Sequence, residues 1–197
     1  MSRFFSRKFD TLTPYVPGEQ PKDMKYIKLN TNESPFPPSK EVVDAINEAE
    51  IKDLRLYCDP ECKKLRSALA KRYNVESENV FLSNGSDDIL NFSFFGFGQN
   101  GVAFADITYG FYPVFAQLYN LDYEEIPLDD DFRIRVSDYV GINKTIFIAN
   151  PNAPTGIALN LEQIEKIISS NPEGVVIIDE AYVDFTKDDI TIRLVSH

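Results

Sequence analysis

The amino-acid sequence predicts an α/β fold with three layers, in which a mostly parallel sheet lies between two layers of helices. From about residue 79 onward, short apolar runs alternate with amphipathic helical stretches. Continuous apolar runs are typical of strands buried on both faces of a parallel sheet, and their alternation with helices indicates crossover connections. One run, from Val175 to Tyr182, ends in two carboxylates and an aromatic ring. Because burying an unpaired carboxylate is costly, this pattern predicts that Asp179 faces a cation.

The composition is that of an ordinary globular protein with enough residues for one good-sized core. The chain has 197 residues, of which 43% are hydrophobic and 26% charged, and its net charge is −11. That charge argues against nucleic acid or an anionic membrane as the main partner, since both require basic surface. We see neither an apolar run of membrane-spanning length nor the apolar centre of a signal peptide. Two cysteines and one histidine do not indicate a disulfide framework or a metal site, so we expect a cytoplasmic, metal-free protein.

The chain is predicted to have three parts. Residues 1–38, rich in proline, form an extended N-terminal arm. Residues 39–58 form a linker helix that begins after Ser39, a favourable N-cap residue. Residues 59–197 begin with a second helix, over 61–74, and continue as part of a large domain.

Strands and helices alternate through this large domain. The predicted strands are NVFLS, GVAFAD, YEEIPL, KTIFIAN and GVVIIDEAY. The predicted helices are SDDILNFSFFGF, GFYPVFAQLYN and NLEQIEKIISS. Ligands of such sheets bind outside the carboxyl ends of the strands, so the residues there are the candidates for a site.

The first two strand ends offer an anion site and a flat ring. Gly85 allows a tight turn, and the helix that follows exposes the backbone amides of Ser86 and Asp87. Such a helix N-terminus can bind phosphate, although the same residues also make an ordinary helix cap. Tyr109 follows the next strand, where its ring could stack on a planar ligand or simply anchor a loop in the core.

The remaining strand ends supply an amide and a carboxylate. NPNAPTG is a rigid double-proline turn that can fix Asn152 as a hydrogen-bond donor, or is only a loop before a helix. Asp179 after an apolar strand could hold Mg²⁺ in a nucleotide hydrolase, but the G-x-x-x-x-G-K-[ST] loop of that class is absent from the sequence. Asp179 could instead pair with a pyridinium nitrogen, with Tyr182 near the ring hydroxyl. These are the parts needed to hold pyridoxal phosphate.

The order of these motifs resembles that of the histidinol-phosphate aminotransferases, which are pyridoxal-phosphate enzymes of the aspartate-aminotransferase fold type. NP-x-x-PTG and DEAY mark the broad superfamily, and PY-x-PG with LN-x-NE narrows the resemblance to this branch. The motifs that carry it are LTPYVPG, LNTNESPFPPS, YCDP, SNGSDD, DITYGFY, NPNAPTG and VVIIDEAY.

The resemblance implies a role for each cofactor-binding residue. The backbone amides of Ser86 and Asp87 would bind the cofactor phosphate, and Tyr109 would stack on the ring. Asp179 would pair with the ring nitrogen, and Tyr182 would reach the ring hydroxyl oxygen.

The resemblance also implies substrates and a partner. Tyr15 and Asn32 would hold the substrate, and Tyr57 would reach the cofactor phosphate of the neighbouring subunit in a homodimer. The implied reaction moves an amino group between histidinol phosphate and 2-oxoglutarate, giving glutamate, in histidine biosynthesis.

The sequence departs from the family pattern at two points. Many relatives have Asn where this chain has Ala153, so the hydrogen bond to the ring hydroxyl falls to Asn152 or is lost. The lysine that carries the cofactor lies downstream of DEAY in the family, and the surroundings of Lys187 do not match it. We therefore expect a truncated chain that is inactive alone, with an unpaired sheet edge.

Two other kinds of function stay open. One is a related pyridoxal-phosphate enzyme, such as an aromatic aminotransferase or a threonine-phosphate decarboxylase. The other is a non-catalytic protein built on part of the fold.

Overall fold

The computed structural model describes residues 12–13, 16, 18–19, 27, 29–46 and 48–186. It divides into two compact units, Val16–Val80 and a larger unit made of Met1–Tyr15 with Phe81–His197. The boundaries at residues 38 and 58 that the sequence suggested stay predictions. Local contacts keep the second predicted helix in the smaller unit, where the Arg66 guanidinium donates a hydrogen bond of 2.6 Å to the Ser77 carbonyl.

The smaller unit contains three helices: α1 (Lys40–Ala45), α2 (Glu48–Asp53) and α3 (Lys63–Tyr73). Ser39 caps α1 as predicted, because its hydroxyl accepts a hydrogen bond from the Val42 amide. The linker helix predicted within residues 39–58 is interrupted at Ile46, whose backbone is extended. The described apolar side chains of this region are exposed, with Val42, Val43 and Ile46 each more than half accessible.

The larger unit contains a four-stranded parallel sheet. Its strands are β1 (Val102–Ala105), β2 (Tyr123–Ile126), β3 (Thr145–Ala149) and β4 (Val176–Asp179), in the spatial order β2-β1-β3-β4. Its helices are α4 (Ser86–Phe97), α5 (Tyr112–Leu118) and α6 (Leu161–Ser169). All seven elements fall inside the segments that the sequence pattern predicted.

Helices cover both faces of this sheet. Side chains alternate along a strand, so Phe104 and Phe147 pack on one face with Phe94 of α4 and Phe115 of α5. On the opposite face lies a second cluster that includes Ile146 and Ile148 of β3 with residues of α6. The predicted three-layer α/β architecture is therefore confirmed.

The predicted strand NVFLS is wrong. Within the described part of the chain, Val80–Ser83 pair with no strand. Strand composition is not enough, since an extended segment becomes part of a sheet only when a neighbouring strand satisfies its amides and carbonyls. β4 pairs only with β3 among the described strands and is half-buried, rather than buried on both faces.

No helix in the described ranges combines the length and the apolar character needed to cross a bilayer.

Candidate functional site

A small pocket lies where the carboxyl ends of β3 and β4 meet the start of α4. Because the strands are parallel, their carboxyl ends share one edge of the sheet, the place where open α/β sheets bind ligands. The pocket has a volume of about 80 Å³. Its lining residues are Ser86, Tyr109, Ala149, Ala153, Asp179, Ala181 and Tyr182. Four of the residues that the sequence singled out are thus brought together.

The N-terminus of α4 forms part of the pocket wall. Gly85 precedes the helix with a φ of +84°, a left-handed conformation that other residues adopt only with strain. Ser86 begins a helix of 12 residues and lines the pocket. The first amides of a helix have no partner within it, and together with the helix dipole they favour a phosphate. The loop and the helix start are therefore a candidate anion site.

Tyr109 enters the pocket from the loop that follows β1. Its hydroxyl donates a hydrogen bond of 2.8 Å to Oδ1 of Asp87, in the first turn of α4. Its ring packs against Phe111 with a centroid separation of 5.8 Å. The ring is therefore held beside the first turn of α4, in a position suited to cover a planar ligand.

Asp179 is the last residue of β4, and both of its carboxylate oxygens accept a hydrogen bond. The Tyr112 hydroxyl donates to Oδ2 at 3.0 Å, and the Ala181 amide donates to Oδ1 at 3.1 Å. Burial raises the pKa of Tyr112 well above its ordinary value, and the charge of Asp179 raises it further. Tyr112 therefore remains a donor, and the carboxylate is supported as an acceptor.

Asn152 lies outside this pocket. It is only 3% exposed, its amide nitrogen donates to the Ile107 carbonyl at 2.9 Å, and its amide oxygen accepts from the Thr108 hydroxyl at 2.7 Å. Asn152 thus ties the proline turn to the loop that carries Tyr109. Ala153, which has no polar side-chain atom, occupies the pocket wall instead.

A larger cleft of about 430 Å³ also includes Asn152. Its other walls come from residues 129–137 and 157–163, among them Arg133 and Arg135. Arg135 pairs with Asp138 at 2.8 Å. The smaller pocket is the stronger candidate site, since it alone joins a helix N-terminus, a carboxylate and tyrosines at the strand ends.

The remaining predicted residues lie in the smaller unit or outside the described residues. Tyr57 and Asn32 lie in the smaller unit and are exposed. Tyr15 and Lys187 lie outside the described residues. The expectations for Tyr15, Asn32 and Tyr57 therefore stay predictions.

The sequence reasoning missed Tyr112. It stands three residues after Tyr109 in TYGFY and occupies a fully buried position in an apolar cluster. Tyr112 places a hydroxyl at a position of the helix pattern that is otherwise apolar. This was the signal available in the sequence, because a buried tyrosine hydroxyl usually has a hydrogen-bond partner. Its partner, Asp179, is 67 residues away in the chain.

The fold and the site define a class of protein. Residues 24–195 match the family described as aminotransferase class I and II. The chain therefore belongs to the class I and II aminotransferases.

The chain is also similar in sequence to individual named aminotransferases. The chain is 50% identical to the histidinol-phosphate aminotransferase of Brachyspira hyodysenteriae, over 98% of this chain and 55% of the relative. It is 53% identical to that of a Marinomonas species, over 94% of this chain and 53% of the relative. The chain thus spans about half the length of the curated relatives it matches.

A solved structure supports the fold. It is the histidinol-phosphate aminotransferase of Sinorhizobium meliloti in complex with pyridoxal 5'-phosphate, with a TM-score of 0.74 and 24% identity. The alignment covers 81% of this chain and 45% of that protein. This likeness confirms the predicted fold type.

Proposed function

We propose that this chain forms part of a pyridoxal-phosphate-dependent aminotransferase that moves an amino group between histidinol phosphate and 2-oxoglutarate. The observation that carries the proposal is the pocket in which Asp179, Tyr109 and the start of α4 converge. Family membership and the names of the relatives at 50–53% identity support it. A place in histidine biosynthesis follows from the same substrate.

The residues of the pocket fit this cofactor. The amides of Ser86 and Asp87 at the α4 N-terminus would bind its phosphate, which is dianionic or nearly so at neutral pH. The Asp179 carboxylate would accept a hydrogen bond from the protonated ring nitrogen. The Tyr109 ring would cover the ring face, and Tyr182 would donate to the ring hydroxyl oxygen. When bound, pyridoxal phosphate supplies an electron sink for bonds at the α-carbon of an amine substrate.

Asn152 has a different role in this proposal from the one that the resemblance implied. Its amide nitrogen and oxygen are already bonded to the Ile107 carbonyl and the Thr108 hydroxyl. We assign it the task of holding the loop of Tyr109. Tyr182 is then the side chain that reaches the ring hydroxyl, because Ala153 beside it offers no donor.

The smaller unit contributes to substrate binding and to a homodimer in this proposal. The Tyr57 side chain is completely exposed, as a side chain that serves a neighbouring subunit must be before assembly. Tyr15 and Asn32 would contact the substrate. A cytoplasmic location follows from the biosynthetic reaction.

The cofactor part of the proposal can be tested by fluorescence titration with pyridoxamine 5'-phosphate, which cannot react covalently with surface lysines. We expect saturable binding that Asp179→Asn weakens at least tenfold, since the substitution removes the charge that pairs with the ring nitrogen. Asp184→Asn is the matched control, because Asp184 is exposed and outside the pocket. Equal affinities for the wild type and the Asp179 variant would contradict the cofactor assignment.

The lysine can be located in a separate experiment. Pyridoxal phosphate is added to the chain, the mixture is reduced with borohydride, and the modified residue is identified by mass spectrometry. Modification at one lysine, with a stoichiometry of one, would show that this chain contains the attachment site and contradict the expectation that it lies elsewhere. No specific adduct would support that expectation.

The substrate part is tested with the full-length enzyme of which this chain forms part, by measuring amino transfer to 2-oxoglutarate from several amines. Histidinol phosphate should give the highest kcat/KM, above aromatic amino acids and O-phosphothreonine. Preference for an aromatic amino acid, or release of carbon dioxide from phosphothreonine, would favour the two related enzymes instead.

A further inference from the structure

We propose that Tyr112 is a positioning residue that acts through Asp179 and gives the pocket its selectivity for a protonated ring nitrogen. This inference rests on the proposed function and extends it to a residue outside the pocket lining. Tyr112 is not among the residues that line the pocket. Its hydroxyl instead fixes the carboxylate that faces the ligand.

The carboxylate of Asp179 is held at both oxygens. The Tyr112 hydroxyl donates to Oδ2 at 3.0 Å, and the backbone amide of Ala181 donates to Oδ1 at 3.1 Å. Rotation of the carboxylate would break both hydrogen bonds. Each oxygen of an ionised carboxylate can accept more than one hydrogen bond. The Asp179 carboxylate can therefore still accept a hydrogen bond from a ligand.

The aromatic core in turn holds Tyr112. The residue is 0% exposed, and its ring lies 6.0 Å from that of Phe94 and 5.8 Å from that of Phe147. It also meets the Tyr109 ring edge to face at 5.7 Å. A ring packed on these sides cannot move its hydroxyl without disturbing the core, so the donor position is set by the fold.

Tyr112 acts as a fixed donor and not as an acid or base. Burial raises the pKa of its hydroxyl, and the neighbouring Asp179 charge raises it further. The hydroxyl therefore keeps its proton at neutral pH. It holds Oδ2 of Asp179 in one place, so the carboxylate presents a fixed acceptor to a protonated ring nitrogen.

This arrangement predicts selectivity between two ligands of nearly equal shape. One is pyridoxamine 5'-phosphate, and the other is its analogue with a CH group in place of the ring nitrogen. Only the first can donate a hydrogen bond to Asp179, so only its affinity should depend on the placement of that carboxylate. Phosphate binding at α4 and ring stacking are common to both ligands.

The test measures the affinities of both ligands for the wild-type chain and for Tyr112→Phe, which keeps the ring and removes the hydroxyl. We expect about fivefold weaker binding of pyridoxamine 5'-phosphate, because one of the two hydrogen bonds that hold the Asp179 carboxylate is lost, and a change below about twofold for the analogue. In an Asp179→Asn background, Tyr112→Phe should have no further effect on selectivity.

Tyr119→Phe is the matched control. Tyr119 follows the same helix, and its hydroxyl donates to Asn91 at 2.7 Å, away from the pocket lining. The control should leave the ratio of the two affinities unchanged. Circular dichroism and a thermal melt establish that each variant is folded at the temperature of the titration.

Two results would overturn this inference alone. One is an equal loss of affinity for both ligands in Tyr112→Phe, which would indicate a structural role only. The other is an unchanged affinity of Tyr112→Phe for pyridoxamine 5'-phosphate. A wild-type chain that binds neither ligand, or binds both equally, would overturn the proposed cofactor site and this inference with it. The wild-type titration therefore separates the two failures.

Discussion

The Tyr109 hydroxyl donates a hydrogen bond of 2.8 Å to Oδ1 of Asp87, across 22 residues of sequence. The bond joins the loop after β1 to the first turn of α4. It therefore couples the two parts of the pocket that would hold a ring and a phosphate. Removal of either side chain should loosen both parts together.

We expect Tyr109→Phe to weaken binding of pyridoxamine 5'-phosphate about threefold, because the ring is retained but its tether is lost. Asp87→Ala should have a similar effect, and the double variant should be no weaker than either single one. Fluorescence titration measures these affinities.

Asp88→Ala is the control for charge, since loss of a carboxylate beside a phosphate site can itself strengthen anion binding. Asp88 accepts a hydrogen bond from Ser83 rather than from Tyr109. Losses that add in the double variant, after correction by this control, would contradict the tether.

Replacement of Asn152 by alanine should lower the free energy of unfolding by about 2 kcal/mol, because the substitution removes two part-buried hydrogen bonds, to the Ile107 carbonyl and from the Thr108 hydroxyl. Urea unfolding followed by circular dichroism measures the change. Asn84→Ala, at an exposed position, should change it by less than about 0.5 kcal/mol.

A double-mutant cycle with Thr108→Val tests whether the bond between Thr108 and Asn152 is responsible. The two substitutions should show a coupling of about 1 kcal/mol. Purely additive effects would mean that Asn152 stabilises the loop through other contacts.

The sequence predicted the helices and strands better than it predicted which strands and side chains contact one another. The strand TIFIA and the helix Ser86–Phe97 could be read from apolar runs and from helix-start residues, which depend on neighbours in sequence. NVFLS has an equally good strand composition, yet a strand also needs a neighbour in the sheet. Composition contains no information about that neighbour.

The same contrast holds for the residues of the candidate site. Ser86, Tyr109, Asp179 and Tyr182 could be placed together because parallel strands end at one edge. The direction of the Asn152 side chain could not be predicted, since it depends on a carbonyl 45 residues away.

Phe94 and Phe95 are neighbours on α4 with opposite environments, and they provide a matched pair for the aromatic core. Phe94 is 0% exposed and stacks on Phe147 at a centroid distance of 3.8 Å, whereas Phe95 is 71% exposed. We expect Phe94→Ala to lower the free energy of unfolding by about 3–5 kcal/mol and Phe95→Ala by about 1 kcal/mol or less. Equal losses in urea unfolding would show that α4 does not pack through Phe94.

Tyr139 predicts a loss of stability at alkaline pH. It is 1% exposed, and its hydroxyl has no hydrogen-bond partner among the described residues. Burial raises its pKa above the ordinary value of 10.0, and nearby carboxylates, Asp106 first, raise it further. The unfolded chain therefore loses this proton at a lower pH than the folded chain.

The sign follows from proton binding. Below pH 10 both states hold the proton, so the stabilising contribution is complete. As the pH rises above 10, only the unfolded state releases it, and the free energy of unfolding should fall by up to about 1.4 kcal/mol per pH unit from this group. The decrease continues until the folded pKa is reached.

Tyr139→Phe should remove this part of the pH dependence. It should also leave the free energy of unfolding at pH 7 unchanged or raise it by up to about 1 kcal/mol, because a buried hydroxyl without a partner costs free energy. Tyr123→Phe, at a position 39% exposed, is the matched control and should leave the alkaline slope as it is in the wild type. Urea unfolding between pH 7 and 11 measures both effects. If Tyr139→Phe does not reduce the slope of the free energy of unfolding against pH, this hydroxyl ionises as readily in the folded chain as in the unfolded one.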